Sequence, residues 1–424
     1  MDLTARINPG KLSRAMKSAD SYAENRRPGS AGPNGRRVNG RPDDLAALEL
    51  SEEDTVDVEK KGAAGYAGKI WKPKFALRNH LDTVRAVAWH PTELVLFSAG
   101  EDSVAKMWDL RQYGNLKGRR PPTDIEPTYT FRGHTAAVTS LAVSFSGGRT
   151  VVYTGGADST VRAWLAPFGE GGRVRESYAS YFDTKTKLHT FVGHSNAVWD
   201  VKPHPIPHQY SLLASASADG TVKLWSLPDA SGAGGYKLKA TIRPPSVKVA
   251  PTSLDWCPYD LTKIVVGYTD ATARVVDVTK VGQDGDGEVL RFSRPDGSDG
   301  TPSSQINRLV AHPTTAVCVA GYEDRYLRFL DMTSGSYAHQ MVAHLDGVAA
   351  VDIHPSGLTV ASGGHDYSIR FWDMNTRVCS QEISAHRRKY DEGVWSVAYR
   401  PSVYSGWFAS GGADAIAKVY TLDA

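Results

Sequence analysis

The chain has 424 residues, 41% of them hydrophobic and 40 of them glycine, enough for one large all-β domain or two smaller domains. Lys+Arg 49 against Asp+Glu 46 leaves a formal net charge of +3, which argues against a protein held by bulk attraction to nucleic acid or anionic membrane. There is no apolar run of bilayer length, no secretory h-region after Met1, and no CxxC among Cys257, Cys318 and Cys379. The expectation is a soluble cytoplasmic protein, without disulfides or a zinc site, that meets internal membranes only through partners.

Residues 1–69 are poor in aromatics, and their charge is polarised. Up to Arg41 there are nine Lys/Arg against three Asp/Glu; from Pro42 to Lys60 there are eight Asp/Glu against one Lys. Such a segment cannot bury enough apolar surface to offset the entropy of ordering, so 1–69 is read as a disordered linker. Leu3 to Met16, basic with spaced Leu, Ile and Met, is its one calmodulin-like stretch, interrupted by Pro9-Gly10.

From Ile70 onward short β-branched runs alternate with turns, and a period appears once the aspartates are aligned: Asp102, Asp158, Asp219, Asp270, Asp324, Asp366 and Asp414. Six residues after them stand Trp108, Trp164, Trp225, Val276, Leu330, Trp372 and Tyr420. Four residues before stand Ser98, Thr154, Ser215, Val266, Ala320, Ser362 and Ser410. Successive aspartates are 56, 61, 51, 54, 42 and 48 apart, so a fixed core is separated by variable loops. Upstream of five of them lie His80, His134, His194, His344 and His386, each followed by a V-x-x-[VL] strand.

This register resembles the WD40 repeat, and seven copies over 70–424 imply an all-β, seven-bladed propeller. The resemblance implies that His, Ser/Thr, Asp and Trp of one blade form a buried hydrogen-bonded chain, as a buried carboxylate and an indole N–H both require. Four blades keep the full set: His80/Ser98/Asp102/Trp108, His134/Thr154/Asp158/Trp164, His194/Ser215/Asp219/Trp225 and His344/Ser362/Asp366/Trp372. The seventh has Tyr420 in place of Trp, and the fourth and fifth are expected to rely on apolar packing. The fold also implies closure by a strand near 74–77 pairing with 416–420, which removes an exposed edge.

No constellation points to catalysis. The five histidines and seven aspartates occupy repeat positions, and His90, His204, His312 and His354 sit in His-Pro turns. No HExxH, GxSxG or GxxxxGK[ST] occurs. The expectation is no enzyme, no cofactor and no metal. What remains is surface. The residue before each aspartate and the residue after each first-strand valine should line one rim, which makes Arg85, Glu101, Trp199, Asn307, Glu323, His365 and Trp395 candidate partner contacts. The two tryptophans are the strongest anchors. Arg387-Arg388-Lys389-Tyr390 is a basic cluster suited to an acidic partner, and 111–128, 165–187, 226–246 and 278–304 read as long loops.

Several stretches resemble the striatin family more narrowly. They include Lys72-Pro73-Lys74-Phe75, Ala88-Trp89-His90-Pro91, Ser304-Gln305-Ile306-Asn307-Arg308 in place of a Gly-His opening, Met341-Val342-Ala343-His344-Leu345 and Ala385-His386-Arg387-Arg388-Lys389. The resemblance implies a scaffold that gathers phosphatase 2A subunits, germinal-centre kinases, a Mob-like protein and a striatin-interacting protein, acting through raised local concentration. Striatins carry a coiled coil that binds the phosphatase and sets oligomeric state. No a/d heptad runs through 1–69, so the chain is read as a C-terminal portion in which oligomerisation is not expected. A rival class is a ubiquitin-ligase substrate receptor, since Trp108-Asp109-Leu110-Arg111 matches the WDxR motif of propellers that dock on a cullin adaptor.

Overall fold

The computed structural model describes residues 70–114, 125–167, 186–207, 209–229, 234–246, 248–282, 285–295, 300–402 and 406–422. The readings made above for 1–69, including the calmodulin-like stretch, lie outside these residues.

Seven four-stranded antiparallel sheets follow one another around a ring, forming a seven-bladed β-propeller. Blades 1 to 6 span 84–132, 138–191, 198–242, 251–292, 306–342 and 348–384. Blade 7 is built from 394–422 and takes its outermost strand, Trp71–Arg78, from the start of the described chain. That strand pairs antiparallel with Ile416–Leu422 in a register that sets Phe75 opposite Val419 and Leu77 opposite Ala417. Both Phe75 and Leu77 are buried.

Burial along each blade explains the sequence texture. Second strands such as Val95–Gly100 and Leu212–Ser217 are buried at every position, whereas the outer strand Ser336–Val342 alternates exposed and half-buried residues. A strand covered on both faces reads as an apolar run, and an outer strand reads as polar. This is why 226–246 and 278–304 look like uninterrupted loops. They contain the outer strands Lys237–Ile242 and Glu288–Phe292, whose exposed faces carry Lys, Glu and Arg.

The apolar core lies between blades. One buried cluster fills each of the seven blade boundaries. At the closing boundary, Phe75, Leu77 and Val419 of blade 7 pack on Val84, Trp89, Leu96 and Trp108 of blade 1. Neighbouring blades approach so closely that a Cβ on Gly363 would stand 2.5 Å from Val394 Cγ1. Glycine is the residue that fits there.

Candidate protein-interaction site

In an antiparallel meander the loops opening each blade and the loops joining its second and third strands lie on one face. The repeated histidines stand in the first kind of loop and the aspartates in the second, and five of these pairs meet. His80 Nδ1 lies 2.8 Å from Asp102 Oδ2, its Nε2 lies 2.8 Å from Ser98 Oγ, and Trp108 Nε1 donates to the same Oγ at 2.8 Å. The carboxylate can only accept, and the Ser hydroxyl already accepts from Trp. Hence Nδ1–H donates to Asp102 and Ser98 O–H donates to Nε2. The same chain runs through His134, Asp158, Thr154 and Trp164, through His194, Asp219, Ser215 and Trp225, and through His344, Asp366, Ser362 and Trp372. In blade 7 His386 reaches Asp414 and Ser410, while Tyr420 Oη stands 3.4 Å from Ser410. Burial opposes ionisation of Asp102, Asp158, Asp219, Asp366 and Asp414. The hydrogen bond and charge of each histidine, added to those of neighbouring backbone N–H, hydroxyl or lysine groups, together outweigh it and hold the carboxyl below its usual range. These residues brace the loops of this face and present no free group.

Blades 4 and 5 keep the aspartate but change its partner. Asp324 is gripped by both terminal nitrogens of Arg328 at 3.0 and 2.7 Å, and Arg328 lies over the Tyr322 and Tyr326 rings. Asp270 accepts from Thr272 at 2.6 Å and meets Arg294 at 3.5 Å. Apolar packing alone does not account for these two blades: an arginine meets the aspartate in each, Arg328 from the third strand of blade 5 and Arg294 from just past the outer strand of blade 4.

The second residues of the seven first strands, Arg85, Thr139, Trp199, Thr252, Asn307, Ala349 and Trp395, five of them after a valine and two after Pro251 and Ile306, all line one cavity of about 90 Å³ where the central channel opens on this face. The candidates preceding the aspartates back them. Glu101 lies 3.6 Å from Arg85, Glu323 accepts from Asn307 Nδ2 at 2.7 Å, and the His365 ring meets Trp395 edge-on at 4.7 Å. The Arg85 guanidinium lies over the Trp395 indole, 3.6 Å from its centre, and Trp395 Nε1 donates to Glu392 at 3.3 Å. Trp199 and Trp395 are both half-buried, whereas His365 is buried beneath the rim and positions Trp395 from below. Of the basic cluster, Lys389 bonds Asp82 at 2.6 Å and Arg388 bonds Asp391 at 3.0 Å, while Tyr390 is 83% exposed. Arg111, of the WDxR match, is folded back on its own Asp109 through two hydrogen bonds of 2.9 and 2.7 Å.

The opposite face carries contacts that the sequence reading treated only as turns. His90 Nδ1 accepts the backbone N–H groups of Thr92 and Glu93, and its Nε2–H reaches Thr150 of blade 2 at 2.7 Å. His204 reaches Leu261 O of blade 4, and His312 reaches Gly357 O of blade 6. A His-Pro dipeptide at the same place in successive repeats was the available signal: an imidazole with one nitrogen tied to its turn points the other outward. Among the described residues no three His, Cys, Asp or Glu side chains are placed to hold a metal, and no helix is long and apolar enough to cross a membrane.

The WD domain, G-beta repeat family matches residues 71–109, 125–164, 185–226, 335–373 and 377–421, which omits the blades whose histidine is replaced. Striatin-3 of Homo sapiens is 36% identical over 381 residues, 89% of this chain and 44% of that protein. This is a striatin-type WD40 propeller. Striatin of Rattus norvegicus is 34% identical over 379 residues, again 89% of the chain and 46% of that protein. The chain thus spans less than half the length of these striatins. The WD40 β-propeller domain of Doa1 shares the fold at a TM-score of 0.62 and 16% identity, covering 83% of this chain and 97% of that domain.

Proposed function

We propose that the chain is a non-catalytic scaffold of the striatin kind. In this reading it gathers phosphatase 2A subunits, germinal-centre kinases, a Mob-like protein and a striatin-interacting protein through its propeller, in the cytoplasm. It adds no catalytic group and works by raising the local concentration of enzyme and substrate. The observation that supports it best is the likeness to striatins along 89% of the chain, including the irregular blades that the general repeat family does not match. The channel mouth, with Trp199 and Trp395 half-buried on opposite sides of one cavity, supplies the kind of aromatic anchors on which protein interfaces depend. The ubiquitin-ligase reading draws on no comparable observation, since the Arg111 guanidinium is held by Asp109.

The full chain used as bait in a native lysate, beside its Trp199→Ala/Trp395→Ala variant, tests the proposal by mass spectrometry. Recovery of the phosphatase, kinase, Mob-like or striatin-interacting protein, lost in the variant, is the expected result. A cullin adaptor in their place, or none of the set, overturns it.

A further inference from the structure

Five blades open on a repeat histidine, and in four of them the first strand begins four residues later, at Val84, Val138, Val198 and Val348. In blade 7 it begins eight residues after His386, at Val394, so this loop carries four extra residues on the face that holds the channel mouth. The loop is braced. Lys389 and Glu392 form a backbone bridge, Arg388 Nε donates to Tyr390 O at 3.0 Å, and Lys389 is tied to Asp82 in the neighbouring loop. At its tip Tyr390 stands at φ 55°, in the left-handed region that bulky residues seldom enter, and is 83% exposed. Beside Asp82 stands Leu81, 92% exposed. Two large apolar side chains held out on loops that are joined to each other, one of them on a strained backbone, mark a contact surface.

Charge and chain length decide what covers it. Asp82 and Asp391 on these loops are taken by Lys389 and Arg388. The exposed side chains of Arg387 and of Arg78, three residues before Leu81, meet no carboxylate among the described residues. The surface is therefore apolar with cations at its edge. The chain carries the complement itself: Leu45, Leu48 and Leu50 stand among the eight carboxylates of residues 42–60. The path fits as well. The closing strand runs from Trp71 to Arg78 toward this face, 8 residues or about 26 Å. The residues between Leu50 and Trp71 can extend about 65 Å. A tether of this kind holds a segment near its site at an effective concentration on the order of a millimolar, which a free partner at micromolar concentration does not match. We propose that the chain's own residues 43–59 cover the Leu81–Tyr390 surface, leucines on the two exposed side chains and carboxylates on Arg387 and Arg78. Trp395 Nε1 donates to Glu392 of the same loop, so the surface borders the channel mouth, and the segment seated there restricts access to it.

The test uses the full chain, a full-chain variant whose eight carboxylates at 42–60 are changed to amides, and a fluorescent peptide of residues 42–60 read by anisotropy. The amide variant, its surface uncovered, is expected to bind the peptide about tenfold more tightly than the parent, whose own segment competes. That is the ratio given by an effective concentration of about 1 mM against a Kd of about 0.1 mM. In the amide variant, Leu81→Ser with Tyr390→Gly weakens the peptide about fivefold or more, and glycine keeps the left-handed turn that the tyrosine occupies. Arg387→Gln weakens it severalfold and lowers its dependence on salt. Equal binding by parent and amide variant, or no binding by either, overturns the proposal. Binding that Leu81→Ser/Tyr390→Gly leaves unchanged overturns it in favour of the basic residues up to Arg41. A dimer of the parent in light scattering that the same two substitutions dissociate puts a second copy on the surface and overturns it also.

Discussion

The guanidinium of Arg85 on blade 1 lies 3.6 Å from the centre of the Trp395 ring on blade 7. The two residues stand on either side of the boundary at which the ring closes. The same boundary holds the Lys389–Asp82 ion pair at 2.6 Å and the Ser396 Oγ bond from Val87 N at 3.1 Å. The candidate contact site at the channel mouth and the closure of the propeller therefore share residues.

Trp395→Ala removes the ring on which Arg85 rests and the face that His365 touches, without emptying an inter-blade core. A desolvated cation–π pair contributes about 2 kcal/mol, an exposed one about 0.5–1. Urea unfolding of the variant is expected to show a loss within that span and an unchanged m-value. A loss much greater than this would mean that the bait variant fails by unfolding and not by losing an anchor.

Ser98→Ala takes away the hydroxyl that accepts from Trp108 and donates to His80, leaving both buried nitrogens unpaired. The expected cost is about 1–3 kcal/mol for each group so stranded. Ser410→Ala is expected to cost less, because its second partner, Tyr420 Oη, stands at 3.4 Å. Paired chemical denaturation of the two variants measures the difference.

Truncation separates the linker from the closing strand. A chain beginning at residue 69 keeps Trp71–Arg78 and is expected to unfold at the parental midpoint. A chain beginning at Arg78 loses Phe75 and Leu77, both buried against blade 1, together with the pairing to Ile416–Leu422. Burial of two such side chains contributes roughly 3–6 kcal/mol, so differential scanning calorimetry should show a large drop in the melting temperature.

Acidity is expected to act through the His90 turn. Burial lowers the His90 pKa from 6.5 to about 4, and protonating Nδ1 also displaces the two backbone N–H groups it accepts. The unfolded chain therefore binds this proton more readily than the folded one. Stability from His90 is complete above pH 6.5 and is lost as the pH falls from there to about 4. The urea midpoint is expected to fall less between pH 7 and 5 in His90→Asn than in the parent. Equal slopes would assign the acid sensitivity elsewhere.

The sevenfold repeat was legible in the sequence because it is local. Each blade needs a buried second strand, a turn aspartate and a residue six places on, and these lie within a few tens of residues of one another, whatever the loop lengths. Outer strands such as Lys237–Ile242 were not legible, since a strand with one solvated face and no partner beyond it has no need of an apolar run. Position on the rim could also be counted along the chain, as the residue after the first strand's opening residue, a valine in five blades and Pro251 or Ile306 in the other two. What lies at the mouth is another matter. Arg85 and Trp395 are separated by most of the chain and Ser140 and Gln305 by three blades' worth of it, and only closing the ring sets them on one cavity. Local spacing determines which residues build a blade. Which polar groups then face one another across the channel, paired or unpaired, depends on the curvature of seven packed sheets, and tertiary structure alone decides it.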